Sequence, residues 1–234
     1  MPRRIISFLP DNYYHLYNRG NNRQAIFFEQ ENYLYFLRGM KKYLLPIVDI
    51  IAYCLMPTHY HLMVRVKETS EVSKTSEVLT GVSAGMKKLS ISYTKAINKR
   101  FGRVGSLFQG AFQAKAIKNS KYLLHLCRYI HMNPVKDGLV ASPNDWPYSN
   151  YLEWIGKRDG IMFDRNFLED QFSNLNEYKK FILDDQFSRQ LPEDFIREAE
   201  YPVACYGVPR SSKIRPEGEK FRNTPSACCG DRNF

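Results

Sequence analysis

The sequence predicts an α+β fold: a ferredoxin-like antiparallel sheet with helices packed on one face, followed by a helical C-terminal extension. Three observations predict it. Strand-like and helix-like segments follow one another in the order β-α-β-β-α-β-α as far as residue 133. An apolar run at 47–56 and an alternating run at 59–67 are separated only by Pro57-Thr58, which suits an antiparallel pair. The composition, 44% hydrophobic and 25% charged, is that of a chain able to bury a core.

Each element has its own signal. YYHLYNRG (13–20) is aromatic and β-prone and stops at Gly20 with Asn21-Asn22 behind it, so a strand and then a turn are expected. EQENYLYFLRGMKKYLL (29–45) places Tyr33, Leu34, Leu37 and Leu44 at helical spacing, and Pro46 closes it. IVDIIAYCLM (47–56) is a β-branched strand, and HYHLMVRVK (59–67) alternates as its partner. Over 71–100, Val78, Val82, Met86, Leu89 and Tyr93 fall on one face of a long helix. FGRVGSLFQG (101–110) is a glycine-punctuated basic loop, and FQAKAIK (112–118) alternates as a fourth strand. KYLLHLCRYIHMN (121–133) is a helix that Asn119 or Ser120 can cap and that is expected to end near Pro134. After DWPYSNY (145–151) the character changes. The expected division is therefore a domain at 1–151 and an extension at 152–234, of short helices to about 200 and then a flexible basic tail.

Net charge is +10, which favours polyanionic partners because lysines and arginines release counterions from phosphates. The five cysteines, Cys54, Cys127, Cys205, Cys228 and Cys229, show no zinc-site spacing, and a reduced, cytoplasmic chain is expected. No apolar run approaches the roughly 20 residues of a membrane span.

Three groups of residues can carry chemistry. His59 and His61 are i and i+2 on a strand, so their imidazoles share a face and suit a divalent metal. An isolated pair of this kind is more often structural, and two histidines need a third ligand. Tyr129 and Asn133, four apart on a helix, also share a face. A tyrosine can act as a covalent nucleophile and an amide oxygen can bind a hard cation. Taken alone, Tyr129 beside Leu123, Leu124, Leu126 and Ile130 reads more readily as packing than as chemistry. His131 is a rival ligand, but it lies roughly 200° around the helix from Tyr129. Asn18, Arg19, Arg100, Arg103, Phe108, Gln109 and Lys115 mix basic, amide and aromatic groups suited to single-stranded nucleic acid, where bases stack on rings while cations meet phosphates.

Taken together these segments resemble a known family. PTHYHLMV looks like the HUH motif of the single-tyrosine transposases, and RYIHMNPVKDGLV resembles that family's tyrosine helix. YHLYNRGNNRQAIF, GRVGSLFQGAFQAK and DWPYSNY are similar to its first strand, its late loop and strand, and its closing motif, all in the family's order. The resemblance spans about residues 10–151 and points to the REP-associated tyrosine transposases, a branch of the insertion-sequence-200-like family.

The resemblance implies cleavage and rejoining of single-stranded DNA beside imperfect hairpins, through a 5′-phosphotyrosine. It implies His59, His61 and Asn133 as ligands of Mg²⁺ or Mn²⁺, with Asn133 standing where relatives commonly supply Gln. Tyr129 is then the nucleophile, and Lys136 is placed to neutralise phosphate charge. Implied partners are single-stranded or hairpin DNA and, as in relatives that complete each site with a neighbour's tyrosine helix, a second copy in a homodimer. A related DNA-binding protein without cutting activity is the alternative.

Overall fold

A computed structural model of the chain describes residues 6–68 and 75–184. Its elements are β1 (Tyr13–Arg19), α1 (Gln30–Tyr43), β2 (Val48–Met56), β3 (His59–Val66), α2 (Thr75–Phe101), β4 (Gln113–Ile117) and α3 (Ser120–Lys136), then α4 (Tyr151–Trp154), α5 (Arg165–Gln171) and α6 (Leu175–Leu183). The strands form one antiparallel sheet in the order β2-β3-β1-β4. That is the ferredoxin-like arrangement the sequence predicts.

Alternation along the strands sorts their side chains into two layers. Tyr14 and Leu16 of β1 and Tyr60, Leu62 and Val64 of β3 face α1 and α2, where Phe36, Met40, Met86, Leu89 and Tyr93 complete the first core. A reciprocal capping box between Glu29 and Asn32 starts α1. Close approach of α1 and α2 depends on Gly85, since a Cβ there would stand 2.5 Å from the Tyr43 carbonyl oxygen.

The helical layer expected on one face is α1 and α2; a second layer covers the other face. Ile51, Ala52, Cys54, Met56 and Met63 present a second apolar surface, and α3, α4, α5 and α6 pack on it through Leu126, Ile130, Trp154, Phe167 and Tyr178. A sheet apolar on both sides has to be covered on both sides. The boundary drawn between 151 and 152 falls inside α4, and the described residues all lie in one compact unit. The helices expected beyond 184 and the basic tail from 201 lie outside the described residues.

A β-bulge makes the two-sided arrangement work. The β2–β3 register shifts between Ile50 and Ala52, leaving Ile51 outside the ladder. The closing motif satisfies the freed backbone. Asn150 donates Nδ2 to the Ile51 carbonyl at 2.8 Å and accepts the Tyr53 N–H on Oδ1 at 2.7 Å. The Trp154 indole donates to the same Ile51 carbonyl at 3.0 Å.

α3 does not end at Pro134, as the sequence leads one to expect, but runs through it to Lys136. Proline lacks one donor, yet the turn beyond it closes normally. Asp137 N–H reaches the Asn133 carbonyl at 2.9 Å, and Gly138, with φ of 67°, reverses the chain. Asn133, just before the proline, lies one helical turn from Tyr129.

Candidate active site

The second face of the sheet carries the polar cluster. His59 and His61 project from β3 toward α3, as their i, i+2 spacing requires. They are 8% and 3% exposed. Each ring spends Nδ1 on a protein partner: His59 meets the Thr58 hydroxyl at 3.0 Å, and His61 meets Nε2 of His15 at 2.9 Å. Neither Nε2 has a partner. A buried polar atom without a partner costs roughly 1–3 kcal/mol, so two side by side mark a place for a ligand.

Asn133, 3% exposed, faces the same place, and its Nδ2 is also buried and unpartnered. The Asn133 amide interacts with the His59 ring. Tyr129, one turn back on α3, sets its ring edge-to-face against His61 with centroids 5.6 Å apart. Lys136 lies over the Tyr129 ring, its Nζ 5.0 Å from the centroid. His59, His61, Tyr129 and Asn133 thus converge from two distant stretches of one chain.

Electrostatics keep the imidazoles neutral. Burial pushes His59 down to about 4, with the Arg19 charge adding to the effect and the Asn133 amide opposing it. Burial also holds His61 well below its usual range, helped by the neighbouring His59, His15 and Arg19. Neutral imidazole is the form that binds a metal.

The predicted DNA-binding residues divide. Lys115 lies on the second face, paired across β4 and β1 with His15, and Arg19 is paired with His59. Gln109 is exposed, and its N–H is bonded to the Arg19 carbonyl. Arg100 is exposed and bonded to Glu29, while Arg103 lies over Phe28 with its Cζ 5.6 Å from the ring centroid. Phe108 is no stacking surface: it is 5% exposed and packs toward Tyr60 and Tyr93. Asn18 is also committed internally, donating to the Gly110 carbonyl at 3.1 Å and accepting from Arg19 N–H. Both hold the loop after α2 against the end of β1.

His131 is structural. Its Nε2 meets Asn150 Oδ1 at 2.9 Å and its Nδ1 meets the Tyr178 hydroxyl at 2.5 Å. Because the Asn150 nitrogen is used on Ile51, its oxygen accepts, so His131 carries its proton on Nε2 and accepts from Tyr178. Sequence reasoning passed over His15. Its only signal was a histidine on a β-prone strand, and nothing local says which strand becomes its neighbour.

Residues 9–133 match the family model described as Transposase IS200 like. A Haemophilus influenzae protein assigned to the REP-associated tyrosine transposases is 29% identical over 105 residues, 44% of this chain and 58% of that one. The REP-associated tyrosine transposase of Escherichia coli K12 is 27% identical over 118 residues, 46% of this chain and 63% of that one. The match therefore spans about three fifths of each curated relative. The solved structure of a REP-associated tyrosine transposase bound to a REP hairpin has the same fold, with a TM-score of 0.51 at 20% identity, covering 70% of this chain and 94% of the other. With a family match over more than half its length and a four-stranded sheet of matching fold, this chain belongs to the IS200-like transposases and is similar to REP-associated tyrosine transposases.

Proposed function

We propose that this protein cleaves and rejoins single-stranded DNA at hairpin-associated sites, with Tyr129 as nucleophile and Mg²⁺ or Mn²⁺ held by His59, His61 and Asn133. One observation carries the reading: Nε2 of two buried imidazoles and Nδ2 of a buried amide, none with a hydrogen-bond partner within 3.5 Å, meet beside a tyrosine ring. Among the described residues no three His, Cys, Asp or Glu side chains form a metal-holding group, and the further polar side chain facing the two imidazoles is the Asn133 amide. Asn133 fits, because turning its amide over presents the oxygen in place of the nitrogen.

A cation held there would polarise a non-bridging phosphate oxygen. The chain's own residues do the rest. Tyr129 Oη bonds to phosphorus and gives up its proton; the bond from phosphorus to the 3′ oxygen breaks, and that oxygen takes up a proton. The products are a 5′-phosphotyrosine and a free 3′-hydroxyl. The bond energy stays in the aryl ester, so another 3′-hydroxyl can displace Tyr129 without a nucleotide cofactor. Lys136 brings positive charge to the ring that receives the phosphate. The hairpin in the solved relative supports hairpin DNA as the substrate class here.

The test is incubation with a hairpin oligonucleotide bearing a single-stranded flank, with Mn²⁺, followed by a denaturing gel. The wild-type chain should retain labelled DNA covalently. Tyr129→Phe should retain none, while binding the hairpin within a few-fold of wild type. An adduct on the phenylalanine variant would remove Tyr129 from the mechanism.

A further inference from the structure

Resting on the metal reading above, we infer that His15 is a positioning residue of the site: it accepts the Nδ1 proton of His61 and thereby holds the His61 Nε2 lone pair toward the cation.

His15 Nε2 and His61 Nδ1 are 2.9 Å apart, and both side chains are 3% exposed. The two rings lie within 20° of parallel, and Tyr17 stacks on His15 at 4.8 Å while lying 6.1 Å from the His61 ring. His15 is therefore held against both an aromatic ring and the ligand it serves. A neutral imidazole has one proton. When Nε2 of His61 binds a cation, that proton sits on Nδ1 and needs an acceptor, because the site admits little water. His15 supplies it, with its own proton on the opposite nitrogen. Thr58 stands in the same relation to His59, at 3.0 Å from its Nδ1. Each imidazole of the pair thus has an outer partner, one from its own strand end and one from the neighbouring strand.

The experiment uses the full chain without DNA, so that the readout is not strand cleavage. Mn²⁺ affinity is measured from the free-ion electron paramagnetic resonance signal for wild type, His15→Leu and His15→Gln. The side-chain oxygen of Gln can accept where the imidazole did. His15→Leu should weaken Mn²⁺ binding by about 10–100-fold, and His15→Gln should restore most of it. Nitrogen-15 spectra of the Mg²⁺-loaded wild type should show His61 protonated on Nδ1 with its signal coupled to His15. Unchanged affinity in a folded His15→Leu chain overturns the proposal, as does a loaded His61 that carries its proton on Nε2. If the leucine variant unfolds, the glutamine variant and the wild-type spectra decide. A wild-type chain that takes up no Mn²⁺ overturns the metal reading itself, whereas loss of binding in His59→Ala with none in His15→Leu overturns only the role of His15.

Discussion

At the scale of single residues, the histidines show how much environment decides. His59 and His61 each keep one ring nitrogen without a partner, whereas His131, equally buried, has both nitrogens engaged. The first pair keeps a nitrogen that a ligand could take, as proposed, and the third is spent on structure. The polar hub on the structural side is Asn150. Its amide bonds the Ile51 carbonyl, the Tyr53 N–H and His131. Asn150→Ala would leave the Tyr53 N–H and His131 Nε2 without these partners, at about 1–3 kcal/mol for each such group, while Trp154 still donates to the Ile51 carbonyl. We expect that variant to lose roughly 3 kcal/mol or more in urea unfolding. A loss below about 1 kcal/mol would show that the bulge is held by Trp154 alone.

At the scale of elements, the pairing of α1 with α2 and the course of α3 matter most. Gly85 lets the two helices of the first layer approach, and a methyl group there would meet backbone rather than a movable side-chain end. Gly85→Ala should therefore destabilise by about 1–3 kcal/mol, even though alanine is the better helix former. Thermal unfolding of the variant checks the sign; a higher Tm would mean that the helices separate at little cost. Tyr129 and Asn133 both precede Pro134 and share the face of α3 that points at β3; continuing past the proline adds Lys136, whose Nζ lies 5.0 Å from the Tyr129 ring centroid. Arg128, on the same helix, donates to the Phe181 and Asp184 carbonyls at the end of α6, which ties the tyrosine helix to the C-terminal layer.

At the scale of the whole molecule, two consequences follow. The first concerns acid. His15 is pushed down to about 3 by burial and the nearby Lys115, His59 to about 4 by burial and Arg19, and His131 to about 4 by burial against its bond to Asn150. Their ordinary value is near 6.5, so the unfolded chain binds protons that the folded chain refuses. Stability is then full above about pH 6.5 and falls as pH drops toward about 4; every tenfold difference in proton affinity between the unfolded and folded chain is worth roughly 1.4 kcal/mol per group. Denaturant midpoints at about pH 7.5 and about pH 5 should differ strongly, with the lower midpoint in the more acidic buffer; equal midpoints would show that these rings titrate normally. The second concerns assembly. His59, His61, Tyr129 and Asn133 come together within one chain. Mixing a His59→Ala, His61→Ala chain with a Tyr129→Phe chain should not restore the covalent DNA adduct. Restored adduct would mean that subunits exchange their tyrosine helices.

The local pattern of residues was enough for the strands, the two long helices and the shared faces of the two residue pairs proposed for the site. Periodicity depends on neighbours in the chain, and His59–His61 and Tyr129–Asn133 are each close enough in sequence to show a shared face. Register was not legible. Only the pairing of β1 with β3 puts His15 beside His61, and only packing of the loop after α2 turns Phe108 inward. Nor could local pattern show a second helical layer, since an apolar run reads alike whether one or both faces are covered. The bulge at Ile51 that permits this layer is stabilised by Asn150 and Trp154, about a hundred positions away. Contacts made across such distances are chosen by competition among whole-chain packings, and that competition is settled only when the core closes.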